Sequence, residues 1–318
     1  MPGVQGENQT IITEFILLGF GDLRELKIPV FMVFLAIYIV TLIGNILVMV
    51  TVSYNHNLHN PMYFFLGNLS ALEVCYTTAI APKMLKTLLV LREEVSFSAC
   101  LLQFYVFGSL AVAECFLLSA MSYDRYLAIC KPLRYASVMS SQLCFRLAVG
   151  SWVIGFLSVV VTVPMVSRLS FCASNEIDHF FCDLTPILKL SCGDTRPVRI
   201  PAFIIASLVS FSPFFLTLLS YYKIISTILK IPSATGKQKA FSTCSSHLIV
   251  VSMFYGTLMV VYAAPTANQW PALNKAFSVL YTVVTPMINP IIYSLRNKEV
   301  KEALRKLISP YPVGWLSA

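Results

Sequence analysis

The chain has 318 residues, 57% hydrophobic and only 12% charged, with a formal net charge of +8 and a mean hydropathy of +0.75. Soluble domains carry about 25% charged residues, and a soluble fold of this composition would leave large apolar patches in water, so the chain reads as an integral membrane protein. The pI near 9.0 does not point to nucleic acid, because the bases lie between apolar runs and not on one polar domain.

Residues 1–27 are polar apart from a short apolar piece, Phe15 to Phe20. They lack a basic leader region, so no cleavable signal peptide is expected and the first apolar run serves as the targeting signal. Asn8-Gln9-Thr10 is a glycosylation sequon in this tail. A spanning helix needs roughly 20 mostly apolar residues. Seven runs qualify: Ile28–Val52, Pro61–Pro82, Val95–Tyr123, Leu147–Ser167, Ile200–Tyr222, Ala240–Leu273 and Ala276–Leu295. The sixth must include a loop near Pro265 and Pro271. Pro164, Pro213, Pro286 and Pro290 fall inside spans, where neighbouring helices can satisfy the freed carbonyls. Asn68-Leu69-Ser70 also matches a sequon but lies within the second span. No barrel-like alternation is present, so the expected fold is an all-α bundle of seven membrane helices, residues 28–296.

Residues 297–318 form the last segment. Val300, Ala303, Leu304, Leu307 and Ile308 recur at helical spacing among basic residues. This predicts a short amphipathic helix lying on the membrane lipid. With the N-terminus outside, the inner segments carry 13 bases and three acids, the outer segments ten of each, and Glu73 and Glu114 lie within spans. The positive-inside rule then favours an extracellular N-terminus and a cytoplasmic C-terminus in a multi-pass plasma-membrane protein.

Four of the nine cysteines, Cys100, Cys172, Cys182 and Cys192, fall on the outer side. They are an even set in an oxidising compartment, with three pairings open. Cys75, Cys115, Cys130, Cys144 and Cys244 read as free thiols, and the four histidines show no zinc spacing. Glu73 and Glu114 are acids near mid-membrane, so they should face the interior with partners. No base lies inside the spans, and Asn45 and Asn289 are the plausible polar neighbours. Two nearby acids without a base suggest either a bound Na⁺ or a shared proton.

Six motifs stand in order. Gly44-Asn45 lies in the first span, and Leu58-His59-Asn60-Pro61-Met62-Tyr63-Phe64-Phe65-Leu66 opens the second. Met121-Ser122-Tyr123-Asp124-Arg125-Tyr126-Leu127-Ala128-Ile129-Cys130 ends the third, and Ser220-Tyr221 closes the fifth. Lys239-Ala240-Phe241-Ser242-Thr243-Cys244-Ser245-Ser246-His247-Leu248 starts the sixth, and Pro286-Met287-Ile288-Asn289-Pro290-Ile291-Ile292-Tyr293-Ser294-Leu295-Arg296-Asn297 ends the seventh. With these the chain resembles, over essentially its whole length, the vertebrate olfactory receptors among the rhodopsin-like G-protein-coupled receptors.

The resemblance implies pairings Cys100–Cys182 and Cys172–Cys192, the first lidding the ligand cavity. It implies that Asp124 and Arg125, with Tyr126, form the output end. It implies too that Arg125 is held at rest and released to meet a stimulatory olfactory-type heterotrimeric G protein; read alone, it is first of all a membrane-boundary anchor. Tyr221 and Tyr293 would swing inward on activation, with His247 as an inner polar contact. Many family members carry Asp where Glu73 stands, which shifts the carboxylate by about one methylene and bears on any Na⁺ geometry.

Phe104, Phe107, Gly108, Ala111 and Val112 recur at steps of three and four on the third helix. By resemblance this face lines an odorant cavity, joined by Ile205, Val209, Tyr255, Leu258, Met259, Tyr262, Val279 and Thr282. Amine receptors of the wider superfamily place Asp where Phe107 stands. The expected ligands are therefore small, volatile and mostly apolar. A transporter would want an inverted repeat, and no phosphate loop, zinc motif or catalytic set suggests an enzyme. A non-olfactory small-molecule or peptide receptor of the same fold is the alternative.

Overall fold

The computed structural model of the chain describes residues 13–90, 92–171, 174–259, 271–296 and 298–308. Seven helices form the membrane bundle. The first is α1 (Lys27–Tyr54), the second α2 (Pro61–Leu89) and the third α3 (Phe97–Cys130). A short α4 (Pro132–Val138) follows. The fourth span is α5 (Ser141–Val160) continued by α6 (Thr162–Ser167), broken at Val161 ahead of Pro164. After the short α7 (Leu184–Lys189) come the fifth span, α8 (Arg196–Leu229), and the sixth, α9 (Ala234–Leu258). The seventh is α10 (Pro271–Val279), a π-helical turn over Leu280–Val284, and α11 (Thr285–Arg296). The amphipathic α12 (Lys298–Ile308) closes the described chain. Six of these helical stretches are long and apolar enough to cross a bilayer, and α9 contributes the shorter apolar stretch Cys244–Leu258.

Local chemistry sets the ends. Asn60 caps α2 by accepting from the Tyr63 amide at 3.3 Å, with Pro61 at the first helical position. Ser96 and Ser140 cap α3 and α5 in the same way. Several helices outrun their apolar runs. α2 continues past Pro82 to Leu89, α3 past Tyr123 to Cys130, and α8 past Tyr222 to Leu229. Hydrophobicity marks the part of a helix in lipid and not its polar overhang, so reading runs alone shortens the elements.

The seventh helix meets the first closely. Pro290 has no N–H, so the Pro286 carbonyl lacks its helical donor. The Asn45 amide on α1 donates to that carbonyl at 3.2 Å. Gly44 makes this approach feasible, since a Cβ there would sit 3.1 Å from the Pro290 ring. Gly155 on α5 does the same against α3, where a Cβ would overlap the Ser109 carbonyl and Ala113. Apolar side chains on α1 and α8, such as Met32, Val33, Phe203, Leu208 and Phe215, are exposed, as suits helices facing lipid.

One feature goes beyond the all-helical expectation. The end of the bundle that carries Cys100 holds a three-stranded sheet. β1 (Glu14–Leu17) is central, antiparallel to β2 (Glu93–Ser96) and parallel to β3 (Glu176–Ile177). Phe15 and Leu17 alternate inward and are fully buried. The apolar piece within the N-terminal segment is thus a strand packed onto the bundle, a pairing that needs two loops distant in sequence. Just beyond it the Phe20 ring stacks between Phe34 of α1 and Phe180 of the long loop, at 5.6 and 5.1 Å.

Candidate functional site

Three arrangements involve the expected residues. The first is an aromatic chamber at the Cys100 end. Cys100 and Cys182 form a disulfide, which lays the Phe180-Phe181-Cys182 stretch across the bundle. The Cys182 amide donates to Gln103 Oε1 at 2.9 Å, and Gln103 Nε2 donates to the Ala79 carbonyl at 2.8 Å. One buried glutamine thus joins loop, α3 and α2. Beneath the loop the Phe107 ring meets Phe181 at 4.9 Å, Tyr76 at 5.1 Å and Tyr281 at 5.9 Å. Phe104 is buried one turn above. Cys192 is also disulfide-bonded; its expected partner, Cys172, lies outside the described residues, as do Tyr262 and the sequon residue Asn8.

The other expected cavity residues are brought together unevenly. Tyr255 is buried, packs on Phe214 at 4.8 Å and donates its hydroxyl to the Cys115 carbonyl of α3 at 3.2 Å. Ala111, Leu258 and Val279 are half-buried against the core cluster that holds Phe107 and Tyr255. Val112, Ile205 and Val209 are half-buried, while Met259 is exposed at the end of α9. The Thr282 hydroxyl is buried but donates to its own helix, to the Ser278 carbonyl at 2.7 Å. Gly108 departs from the expected face. A Cβ there would meet Val159 of α5 at 3.4 Å, so it is a helix-packing position. Steps of three and four cover a wide arc, and the edge of that arc turns to the neighbouring helix. Tyr76, Phe181 and Tyr281 were missed, although Phe181 adjoins a cysteine already singled out.

Two titratable side chains, Lys275 and His179, border this end. Lys275 on α10 donates to Asp178 Oδ1 at 2.5 Å and to the Gly19 carbonyl at 2.9 Å. It ties α10 to the loop and the N-terminal segment. His179 is buried between the Phe180 and Phe181 rings, each 4.6 Å away. Burial, with the nearby Lys275 ammonium, lowers its pKa to about 3.

The second arrangement is a buried polar cluster at mid-bundle. Glu73 accepts from Asn289 Nδ2. Asn45 Nδ2 is spent on the Thr41 and Pro286 carbonyls. Among the described residues Glu73 Oε2, Asn45 Oδ1, Asn289 Oδ1 and the Tyr293 hydroxyl are buried without a hydrogen-bond partner. Glu114 is also buried and close enough to Glu73 for their charges to interact. These four oxygens, one of them on Glu73 itself, together with the Glu114 carboxyl form a donor set that fits a small hard cation or a shared proton.

The third arrangement lies at the Arg125 end. Arg125 donates to Asp124 Oδ2 through Nε at 3.0 Å and a terminal nitrogen at 2.6 Å. Asp124 is fully buried, and the Arg125 side chain is 14% exposed. Tyr135 of α4 donates to the other oxygen, Asp124 Oδ1, at 2.7 Å. Burial and the Asp124 charge hold the Tyr135 phenol above its ordinary pKa. Tyr126 packs at the edge of the cluster around Tyr221, with the Lys131 ammonium 5.9 Å from its ring centre. Tyr221 is hydrogen-bonded through its hydroxyl to His247 Nδ1 at 2.6 Å, joining α8 to α9. Tyr135 was missed. So was Leu133 on α4, which is 99% exposed beside this clasp.

Comparison with known proteins gives one consistent result. A family model described as Olfactory receptor matches residues 34–310. Human olfactory receptor 6F1 is 51% identical over 299 residues, covering 94% of this chain and 97% of that protein. Human olfactory receptor 10A7 is 51% identical over 303 residues, 95% and 96% of the two chains. Mouse olfactory receptor 5AP2 is 46% identical over 311 residues, 98% of each.

Proposed function

The chain belongs to the olfactory receptor family, and on that premise we propose that it binds small, volatile, mostly apolar odorants and activates a stimulatory heterotrimeric G protein to raise cAMP. It works in the plasma membrane with the N-terminus extracellular and the C-terminus cytoplasmic. The charge bias of the loops supports that orientation. The observation that carries the reading is the Asp124–Arg125 clasp, a buried charge pair at a helix end, beside an exposed leucine on α4. A structural helix end needs neither a caged arginine nor an apolar knob in water.

Ligand binding is assigned to the space bordered by Phe104, Phe107, Ala111, Tyr255 and the Phe180 and Phe181 rings of the long loop. The Tyr255 hydroxyl on the α3 backbone makes α9 responsive to what occupies that space. A ligand that fits better with Tyr255 displaced shifts the population toward an outward α9. That movement parts Tyr221 from His247 and opens a gap in which Arg125 and Leu133 meet the G protein. Glu73, Asn289, Asn45 and Glu114 hold Na⁺ or share one proton at rest, and the collapse of this cluster accompanies activation. A bound cation there supplies a counter-charge to the two acids. α12 rests on the inner leaflet, with Val300 and Ala303 against the bundle.

The test is an odorant panel read by cAMP in cells supplying the stimulatory olfactory-type G protein, with Arg125→Ala as control. Responses in wild type that vanish in Arg125→Ala are expected. Substrate flux or current without G protein would overturn the receptor reading. For the acid cluster, Glu73→Gln and Glu114→Gln should each change basal signalling or its Na⁺ sensitivity. If both stay at wild type, the ion or proton assignment fails.

A further inference from the structure

The long loop over Phe107 is fastened unequally along its two sides. On the α3 side it is fixed. Cys182 is cross-linked to Cys100, and its amide donates to Gln103. β2 runs directly into α3 and pairs with β1, and the Phe97 amide of α3 donates to the Thr13 carbonyl at 2.9 Å. The N-terminal segment and the loop are in turn joined by their backbones. The Ile16, Leu18 and Gly19 amides donate to the Asn175, Ile177 and His179 carbonyls at 2.8, 3.0 and 3.1 Å. Residues 14–19 and 175–182 thus form one plate, with Phe181 resting on Phe107. The edge toward α10 is held by a side chain. Lys275 Nζ donates to Asp178 Oδ1 on the loop at 2.5 Å and to the Gly19 carbonyl on the N-terminal segment at 2.9 Å. It grips both halves of the plate where they meet. Gly19 lets the segment pass there, since its φ is +56° and a Cβ would stand 2.7 Å from the Thr87 hydroxyl of α2.

We propose that residues 14–19 and 175–182 are a hinged lid, fixed at α3 and latched to α10 by Lys275, and that release of this latch lets ligand in and out at the Cys100 end of the bundle. The proposal rests on the ligand space assigned beneath the loop. Phe107, Phe180 and Phe181 are buried, so a molecule arriving from water reaches them only if part of the cover moves. A disulfide does not open thermally, and a backbone ladder parts only as a unit. The Lys275 contact is different. Lys275 is 15% exposed and Asp178 is 62% exposed, so water competes for the acid, and such pairs are weak. The latch is therefore the part of the cover that opens at least cost, and a lid of this kind governs entry and release.

The experiment places a thiol beneath the lid, Phe107→Cys in full-length receptor, and measures how fast a small charged methanethiosulfonate modifies it. It needs neither odorant nor G protein. Arg199→Cys, exposed on α8 outside the lid, is the reference thiol. With surface level matched by antibody staining, Lys275→Met and Asp178→Asn should each speed the Phe107→Cys reaction about threefold or more relative to the reference. Lys275→Asp combined with Asp178→Lys restores an opposite pair and should slow it again. Raised salt should speed the reaction with the latch residues unaltered, a measurement that needs no latch variant to fold. Rates that neither Lys275→Met nor salt changes overturn the proposal. Equal acceleration of both thiols shows general loosening and overturns it too. A Phe107→Cys thiol reached by membrane-permeant reagents and never by the charged one puts the entrance in lipid, which overturns the lid and leaves the odorant reading standing. Latch effects as expected in a receptor that answers no odorant of a broad panel would remove the odorant reading and keep the lid.

Discussion

Asp124→Asn should switch the receptor partly on without ligand. Asparagine has nearly the same shape and can still accept from Tyr135, so only the charge that holds Arg125 is lost. Two donor contacts converge on Asp124 Oδ2, at 3.0 and 2.6 Å. Asp124 is fully buried and Arg125 is 14% exposed, so water screens the pair weakly. Hydrogen bonds to charged groups are worth about 1.5–3 kcal/mol net, and the upper part of that range applies to two short bonds on one buried oxygen. On the proposed reading this stabilisation belongs to the resting arrangement. Its loss shifts the resting-to-active ratio by about tenfold to a hundredfold, since about 1.4 kcal/mol is a factor of ten. A receptor active about 1% of the time at rest would reach about 10% or more. The assay is basal cAMP normalised to surface receptor, without odorant. Unchanged or lower basal signal at normal surface level would refute the view that the clasp restrains Arg125. Tyr135→Phe, which removes one donor and no charge, should give a smaller rise.

Three further outcomes are expected. Cys182→Ala opens a cross-link that spans 82 residues, worth about 4–5 kcal/mol for a loop of that length, so surface receptor on flow cytometry should collapse relative to total protein. Gly155→Val must push α5 off the Ser109 carbonyl and should cost about 1–3 kcal/mol, lowering the melting midpoint of detergent-solubilised receptor; Gly150→Ala, which meets open space, should not. The pH dependence follows from His179. Its folded pKa of about 3 lies below the usual 6.5, so the unfolded chain binds more protons between these values and stability falls as pH drops through that window, by up to about 1.4 kcal/mol per pH unit. Asp183, raised from 3.8 to about 6, works in the opposite direction between those two values. The difference between wild type and His179→Asn is therefore the readout, and melting at pH 7 and pH 5 should show the variant losing less.

The seven helices were legible because each must bury its own backbone hydrogen bonds in lipid, which writes a long apolar run into the sequence. The Asn45, Glu73, Glu114 and Asn289 grouping was legible for the same reason, since polar residues in spans have few places to go. Asp124 and Arg125 stood out as charges at the end of an apolar run. The partners of these residues were not legible. Tyr135 and Leu133 lie on a seven-residue helix with no pattern of its own. The sheet pairs Glu14–Leu17 with Glu93–Ser96 and Glu176–Ile177, and strands of two to four residues carry too little periodicity to announce such contacts.

Composition and periodicity thus determined a membrane bundle, its helix order and the side chains too costly to leave unpaired. The tertiary structure decided which atoms pair: Gln103 with the loop and α2, Lys275 with Asp178 and Gly19, Tyr221 with His247, Tyr135 with Asp124. It also turned Gly108 toward α5. The physical reason is one of range. Burial in lipid acts on each segment separately, so the sequence of that segment records it. A hydrogen bond between residues far apart in the chain depends on how helices rotate and loops close, and no single stretch encodes that.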